Sequence, residues 1–220
     1  MKAKCAKQKS RRLQDHVCAL VRAIFFLSDL DVWPAIMGEG GLDIRLTRYA
    51  REYFPFALEC KNREKLNIWE GLEQAETIAA KEGLHPVLIF KRNHTPTYAA
   101  LSLELFERLV GTARPGSGIW PSAFSVPRAR ASIWTALKEA ELEAKKEKNK
   151  MALRIRKGDG PAYVVLPLLE FLGLTAASCP ALEPPVPHGF EARITRGPDD
   201  AARSSSLDPI EEYGGAPSST

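Results

Sequence analysis

The sequence predicts an α/β fold in which helices flank a central mixed β-sheet. Residues 11–27 repeat apolar side chains at helical spacing, and residues 42–48 alternate apolar and polar side chains as a strand does. A second helical pattern at 65–83 lies between apolar strands at 55–61 and 85–92. A hydrophobic content of 45% is that of an ordinary globular protein.

The strands at 42–48 and 55–61 are expected to pair as an antiparallel hairpin. The link between them is short and charged, and Pro55 marks the start of the second strand. The segment "DLDVWPAIMGEGG" before the first strand is predicted to be a loop, because it contains Pro34 and three glycines.

The second half of the chain repeats the theme of the first. The strand at 85–92 is followed by a basic turn and by residues 97–110, which predict a strand that runs into a short helix. Residues 151–174 predict the same order of strand, basic turn, strand and short helix. Either the chain holds two similar hairpin–helix units, or two apolar hairpins resemble each other by chance. The predicted organisation is a basic flexible arm at 1–10, a core at 11–110, a linker and charged helix at 111–150, a strand–strand–helix unit at 151–174 packed on the core, and a disordered tail at 175–220.

Charge is distributed unevenly along the chain, although the net charge is only +4. The first twelve residues hold six lysines and arginines and no acid, whereas the chain from Thr175 onward holds seven acids and three arginines. A basic body fits a polyanionic partner.

The sequence predicts no membrane span, since no run of about 18 apolar residues occurs. It predicts no signal peptide, because no apolar block with a small-residue cleavage site follows the basic N-terminus. Four cysteines occur without C-x-x-C spacing, which is typical of free thiols in a reducing compartment. The expected location is therefore the cytoplasm.

Chemistry concentrates where the strand at 55–61 ends in "ECK". Side chains two apart on a strand share a face, so Glu59 and Lys61 are expected on one side and Cys60 on the other, toward the core. If the two strands pair, Asp43 approaches Glu59. Two carboxylates and an ammonium then suit a divalent cation such as Mg²⁺, with Lys61 beside an attacking water.

The alternative for Glu59 and Lys61 is an ordinary surface ion pair. A Glu-x-Lys triplet is a weak motif, and the chain holds a second one at Glu143 and Lys145. That second triplet lies on a predicted polar helix, where residues two apart do not share a face. A nucleophilic role for Cys60 is not expected, because no histidine lies nearby in the sequence.

Three longer strings carry a resemblance to a known family. They are "MGEGGLD" (37–43), "FPFALECK" (54–61) and "KLNIWEGLEQA" (65–75). Together with the order helix, glycine-rich loop, strand, "ECK", helix, strand, they resemble the PD-(D/E)xK nuclease superfamily. The chain is most similar to a phage and prophage group akin to archaeal-type Holliday junction resolvases, over residues 11–110. The fold that this resemblance implies is a restriction-endonuclease-like core.

The resemblance implies a Mg²⁺- or Mn²⁺-dependent endonuclease. Its catalytic residues would be Asp43, Glu59 and Lys61, and its metal ligands Asp43, Glu59 and the backbone carbonyl of Cys60. Many members carry an acid on the first helix, where this chain has Gln14. An amide oxygen ligates weakly and adds no charge, which leaves the number of metals and the activity open.

Two further residues have a supporting role in one interpretation and none in the other. Gln74, on the helix after the "ECK" strand, matches a glutamine often found near such active sites, or it is a solvated helix residue. Glu39, in the loop before Asp43, is either an extra ligand or a surface acid.

The partner that these features imply is DNA, most plausibly branched or junction DNA, bound through its phosphates by cations around the site. A homodimer is implied by the resemblance, within a phage or prophage setting in a bacterial cell. The alternatives are a non-catalytic DNA-binding module with a nuclease fold, and a phage accessory protein that binds a protein partner. The expected DNA contacts are Arg11, Arg12, Arg45, Arg63 and Lys65.

Overall fold

A five-stranded mixed sheet forms the centre of the fold in the computed structural model, which describes residues 2–36, 38, 40–113 and 132–179. Its strands are β3 (Phe56–Asn62), β4 (His85–Lys91), β5 (Tyr98–Ser102), β6 (Leu153–Arg156) and β7 (Ala162–Pro167). The strand order is β3-β4-β5-β7-β6, with β3 parallel to β4 and the other neighbours antiparallel. The expectation of an α/β fold with a mixed sheet flanked by helices is thus confirmed.

Helices cover both faces of this sheet. One face packs against α1 (Lys2–Phe25), α4 (Leu103–Thr112) and α6 (Leu168–Ser178), and the other against α3 (Ile68–Glu82) and α5 (Ile133–Glu147). Strand β4 divides its side chains accordingly. Val87 and Ile89 join the first core, while Leu88 and Phe90 join the second, as the two-residue period of a strand requires.

The parallel pairing of β3 and β4 depends on the crossover through α3. The Asn67 side chain caps the start of this helix by accepting the Glu70 N–H, and Gly83 ends it in the left-handed conformation at φ 65°. At Gly71 the helix comes so close to the sheet that a Cβ atom would lie 2.9 Å from a methyl carbon of Leu88. A side chain at this position would have to displace Leu88, so glycine allows the helix to lie close to β4.

The predicted hairpin of 42–48 with 55–61 is wrong. Strand β2 (Ile44–Leu46) pairs antiparallel with β1 (Val32–Pro34), which lies in the segment expected to be a loop. A short helix, α2 (Arg48–Tyr53), separates β2 from β3. Thr47 starts this helix by accepting the Ala50 N–H, so the chain turns through a capped helix instead of a tight hairpin link.

The first ten residues are not a separate flexible arm, because α1 begins at Lys2 and continues without interruption to Phe25. Residues 1–10 contain no glycine or proline and are rich in lysine and alanine, which favour helix. At the other end, α6 extends to Ser178, past the predicted start of the tail. The remainder of that predicted tail, residues 180–220, lies outside the described residues, as does most of the predicted linker, residues 114–131.

The two predicted hairpin–helix units share their element order. Strands β4 and β5 form an antiparallel hairpin followed by α4, and β6 and β7 form one followed by α6. The units meet where β5 pairs antiparallel with β7. The charged helix expected at 130–150 is α5. None of the helices in the described ranges has the length and apolarity needed to cross a membrane.

Candidate active site

Asp43 lies at the centre of a polar cluster at the edge of the sheet, immediately before β2. Its Oδ2 atom accepts the backbone N–H of Cys60 on β3 at 2.7 Å. Its Oδ1 atom accepts a hydrogen bond from Nε2 of Gln14 on α1 at 2.8 Å. Three separate elements therefore meet at one carboxylate, even though the hairpin that was expected to bring Asp43 to β3 does not form.

Glu59 and Lys61 share one face of β3, as the sequence predicts. The Lys61 Nζ atom lies 2.5 Å from Oε1 of Glu59 and donates to Oε1 of Gln74 on α3 at 2.7 Å. Cys60 points the other way, into the core beneath α1. Gln74 thus lies beside the cluster, as its supporting interpretation requires, although it is also exposed to solvent.

The backbone of Cys60 also faces the Asp43 side of β3. Strand β3 is the edge strand of the five-stranded sheet. Its odd-numbered positions bond to β4, as shown by the His85 N–H donating to Pro55 O and the Arg63 N–H donating to Lys91 O. Since N–H and C=O groups of successive strand residues alternate in direction, the Cys60 carbonyl points away from β4, in the same direction as its N–H.

Burial makes this cluster electrostatically costly. It raises the pKa of Asp43, and the Cys60 N–H, Lys61 and Gln14 oppose that rise. Burial also raises the pKa of Glu59, the negative charge of Asp43 raises it further, and Lys61 and Arg63 lower it. Glu59 is only 4% exposed. A half-buried and a buried carboxylate thus repel each other with a single ammonium in direct contact, an arrangement that a cation would relieve.

Gln14 contributes a buried polar atom without a partner. The residue is 4% exposed, and its Oε1 atom has no hydrogen-bond partner among the residues that the structure describes. An unpartnered buried oxygen costs about 1–3 kcal/mol. The amide nitrogen is held by Asp43, so the oxygen is the atom of this side chain that a ligand would satisfy.

The oxygens gathered here are of the type that Mg²⁺ and Mn²⁺ prefer. They are the carboxylates of Asp43 and Glu59, the carbonyl of Cys60 and the amide oxygen of Gln14. In the described ranges no group of three or more His, Cys, Asp or Glu side chains is arranged to hold a metal. A cation at this site would therefore depend on two carboxylates and on neutral oxygens.

The Cys60 thiol does not fit the role of a nucleophile. Burial, with the negative charges of Asp43 and Glu59, raises its pKa well above the usual value of 9.0. A thiol with a raised pKa is unreactive, because the thiolate is the nucleophilic form. This agrees with the core-facing direction that the sequence predicts.

The cations expected to contact DNA are distributed unevenly around the cluster. Arg63 and Lys65 are exposed just after β3, and Arg12 is exposed on α1. Arg45 lies on β2, opposite Trp33. Arg11 has structural contacts instead, since it donates to Ala35 O at 2.8 Å and pairs with Asp15 at 3.1 Å. The loop acid Glu39 lies outside the described residues.

Sequence reasoning missed a pocket beside this cluster. Asn62, His94 and His16 line it together with lysines and an arginine. No sequence pattern links these residues, because they come from α1, the end of β3 and the turn after β4. Only the packing of α1 across the sheet brings them together.

Comparison with known proteins adds nothing to these observations. No family model, curated protein or solved structure matches the chain.

Proposed function

We propose that this chain is a divalent-metal-dependent DNA endonuclease of the PD-(D/E)xK type, structure-specific in the manner of Holliday junction resolvases. The observation that carries the proposal is the meeting of Asp43, Glu59 and Lys61 in one half-buried cluster. The first of these residues lies immediately before β2, whereas the other two lie on β3. A surface ion pair would not need the aspartate, and it would not need the carboxylate of Glu59 to be buried.

The roles follow from the contacts of each side chain. Asp43 and Glu59 would hold Mg²⁺ or Mn²⁺ together with the carbonyl of Cys60, and the unpartnered Oε1 of Gln14 would be a further, neutral ligand. Such an ion supplies Lewis acidity, which neutralises charge on a phosphate oxygen and makes a water more acidic. The Lys61 ammonium, held between Glu59 and Gln74, is positioned to orient an attacking water or to stabilise the developing negative charge.

The order of elements supports a restriction-endonuclease-like core. The resemblance implies the order helix, glycine-rich loop, strand, "ECK" strand, helix, strand. The chain has this order in α1, the β1–β2 pair around the loop, β3, α3 and β4, with the short helix α2 inserted between β2 and β3. Exposed cations beside the cluster, Arg12, Arg63 and Lys65, are suited to phosphates. Among the described residues no zinc-binding arrangement is present. The shape of the DNA is the proposed basis of recognition. A homodimer would cut two strands symmetrically.

One observation favours a second candidate, a DNA-binding module without catalysis. Gln14 contributes a neutral amide where many relatives of the proposed type have an acid. The site therefore carries two carboxylates, and an ion would be held more weakly than by three. In this alternative the same cations bind DNA, and Lys61 serves only to neutralise the buried carboxylates.

The proposal is tested by cleavage of labelled four-way junction, flap and linear duplex DNA in Mg²⁺, Mn²⁺ or EDTA. Wild type is compared with Asp43→Asn and with the matched control Asp159→Asn, which changes an exposed aspartate in the turn between β6 and β7. We expect metal-dependent cleavage of at least one substrate by wild type and the control. Asp43→Asn should bind the same DNA but leave it intact.

Cleavage that survives Asp43→Asn would show that the activity does not come from this site. No cleavage of any substrate, with salt-sensitive DNA binding intact, would favour the non-catalytic module. The preferred substrate would identify the subclass of nuclease.

A further inference from the structure

A basic pocket lies next to the candidate active site, between α1 and the ends of β3 and β4. Its volume is about 280 Å³. Lys9 and Arg12 of α1 and Lys91 at the end of β4 line it. Arg12 is exposed, and the two lysines are half-buried. Three positive charges thus converge on one small cavity.

The remaining polar lining complements the same kind of ligand. His16 lies four residues after Arg12 on α1, and His94 belongs to the turn after β4. Asn62 and Asn93 add side-chain amides, which can donate hydrogen bonds. None of the described residues that line the pocket is acidic. The neighbouring Glu64 carboxylate accepts the Asn93 N–H at 3.1 Å and is not part of the lining.

The pocket is held in shape by contacts between its walls. The Asn62 side chain donates to the backbone oxygen of Lys9 at 3.3 Å, which ties α1 to the end of β3. In the opposite wall His94 adopts the left-handed conformation at φ 57°, a conformation that costs free energy for a residue with a side chain. Thr95 stabilises this turn, because its hydroxyl accepts the Arg92 N–H at 3.2 Å and donates to Arg92 O at 3.1 Å.

The pocket adjoins the candidate active site along two elements at once. Leu13 lines the pocket, and the next residue of α1 is Gln14, which holds Asp43. Asn62 lines the pocket and follows Lys61 directly on β3, so its side chain lies on the opposite face of the strand, toward α1. A strand of nucleic acid with one phosphate at the metal cluster would pass around the end of β3 to bring another phosphoryl group to the pocket.

We propose that this pocket binds a terminal phosphate of the substrate DNA strand. A terminal monoester carries about −1.5 to −2 charges near neutral pH, whereas an internal diester carries one. Three cations with two imidazoles therefore match the monoester better. A cavity of about 280 Å³ is large enough to admit a terminal phosphoryl group. The DNA as ligand rests on the proposed function, but phosphate binding itself needs neither metal nor cleavage.

The test measures binding of fluorescent single-stranded oligonucleotides by anisotropy in EDTA, so that cleavage plays no part. The oligonucleotides carry a 5′-phosphate, a 3′-phosphate or no terminal phosphate, and inorganic phosphate is added as competitor. The pocket variant is Lys9→Gln with Arg12→Gln and Lys91→Gln. The matched control, Lys138→Gln with Lys146→Gln and Lys157→Gln, removes the same charge from exposed residues of α5 and the β6–β7 turn.

We expect one terminal phosphate, 5′ or 3′, to strengthen binding to wild type and to the control variant by about tenfold or more, as charge-assisted hydrogen bonds do. The pocket variant should lose that preference, and inorganic phosphate should compete only for the phosphorylated oligonucleotide. This result would stand even if the chain cuts no DNA.

Equal affinity of wild type for phosphorylated and unphosphorylated oligonucleotides would overturn the proposal. So would a preference that the pocket variant retains, or one that both triple variants lose equally. In each of these cases a metal-dependent nuclease activity abolished by Asp43→Asn would leave the proposed function intact. Thermal melting of both triple variants verifies that they are folded.

Discussion

The chain contains two Glu-x-Lys segments, and their surroundings differ in every respect that matters for chemistry. Glu59 and Lys61 lie on β3, where residues two apart share a face, and they are in contact at 2.5 Å. Glu143 and Lys145 lie on α5 and are both exposed. On a helix, residues two apart point in different directions. The same three-residue pattern therefore makes a site only on the strand.

The two segments also differ in burial and in whether a third charged residue lies nearby. Glu59 is 4% exposed and experiences the negative charge of Asp43, which raises its pKa. Asp43 itself is held by Cys60 and Gln14. Around β3 the fold concentrates negative charge in a region of low dielectric, whereas on α5 the charges are surrounded by solvent. The tertiary setting of a Glu-x-Lys triplet, and not the triplet itself, therefore decides whether it can form a site.

The largest expected difference between the two segments concerns DNA cleavage. Lys61→Ala should lower the single-turnover cleavage rate by about 10²–10⁴-fold, the range for removing a group that stabilises charge or assists proton transfer. Lys145→Ala should leave the rate within about twofold of wild type, because exposed charges far from a site contribute little. Similar losses in the two variants would end the distinction between the segments.

A change at Gln14 should sharpen the comparison by adding charge to the buried cluster. Gln14→Glu removes the hydrogen bond to Asp43 and places a third carboxylate beside it. Without metal at neutral pH, the free energy of unfolding should fall by about 1–3 kcal/mol. Mg²⁺ should restore more stability to this variant than it adds to wild type, because three carboxylates hold a cation more tightly. Chemical denaturation with and without Mg²⁺ measures both effects.

The same variant discriminates between the two candidate functions. If wild type binds DNA but does not cut it, gain of cleavage in Gln14→Glu would identify the neutral amide as the reason. Unchanged stability in EDTA, on the other hand, would contradict the buried contact between Gln14 and Asp43.

The pH dependence of stability should also separate Glu59 from Glu143. Burial raises the pKa of Asp43 above 3.8 and that of Glu59 above 4.5. The folded state then binds protons more tightly than the unfolded state. The resulting stability is fully present below about pH 4 and is lost as the pH rises through the raised folded-state pKa values.

Glu59→Gln should flatten this loss, because one of the two ionisations is removed. In EDTA at neutral pH the variant should be as stable as wild type or more stable, by up to about 1 kcal/mol. Glu143→Gln should retain the slope of wild type. Urea unfolding between about pH 4 and pH 8 measures both slopes, and a slope unchanged by Glu59→Gln would show that its charge is not destabilising.

The smallest expected effect is at Gln74. Gln74→Ala removes the 2.7 Å hydrogen bond to the Lys61 ammonium. Because this glutamine is exposed, water can replace it, so the cleavage rate should fall by less than about tenfold. The neighbouring Glu73→Ala, also exposed on α3, is the control. A loss as large as that of Lys61→Ala would mean that Gln74 contacts the reacting groups itself.

Local patterns predicted those parts of the site that depend on short-range geometry. The two-residue period of a strand placed Glu59 and Lys61 on one face and Cys60 in the core. The helical period predicted α3 and α5 within a few residues, and α1 from residue 11 onward. The opposite faces of β4 follow from the same rule. These features need no information about distant parts of the chain.

Features that depend on long-range packing could not be predicted in this way. Asp43 does reach β3, but through the packing of the β1–β2 pair and not through a hairpin, because Thr47 starts a helix where a tight link was expected. The basic pocket likewise joins α1 to the turn after β4. Helix propensity, in contrast, would have extended α1 to the start of the chain had it been applied to residues 1–10.

The most direct test of the account is calorimetric titration of Mn²⁺ into the full chain, with Glu59→Gln and Glu143→Gln in parallel. The account predicts saturable binding to wild type and to Glu143→Gln, and its loss or a large weakening in Glu59→Gln. Equal binding by all three proteins, or no binding by any of them, would contradict a metal site at Asp43 and Glu59 and with it the proposed nuclease.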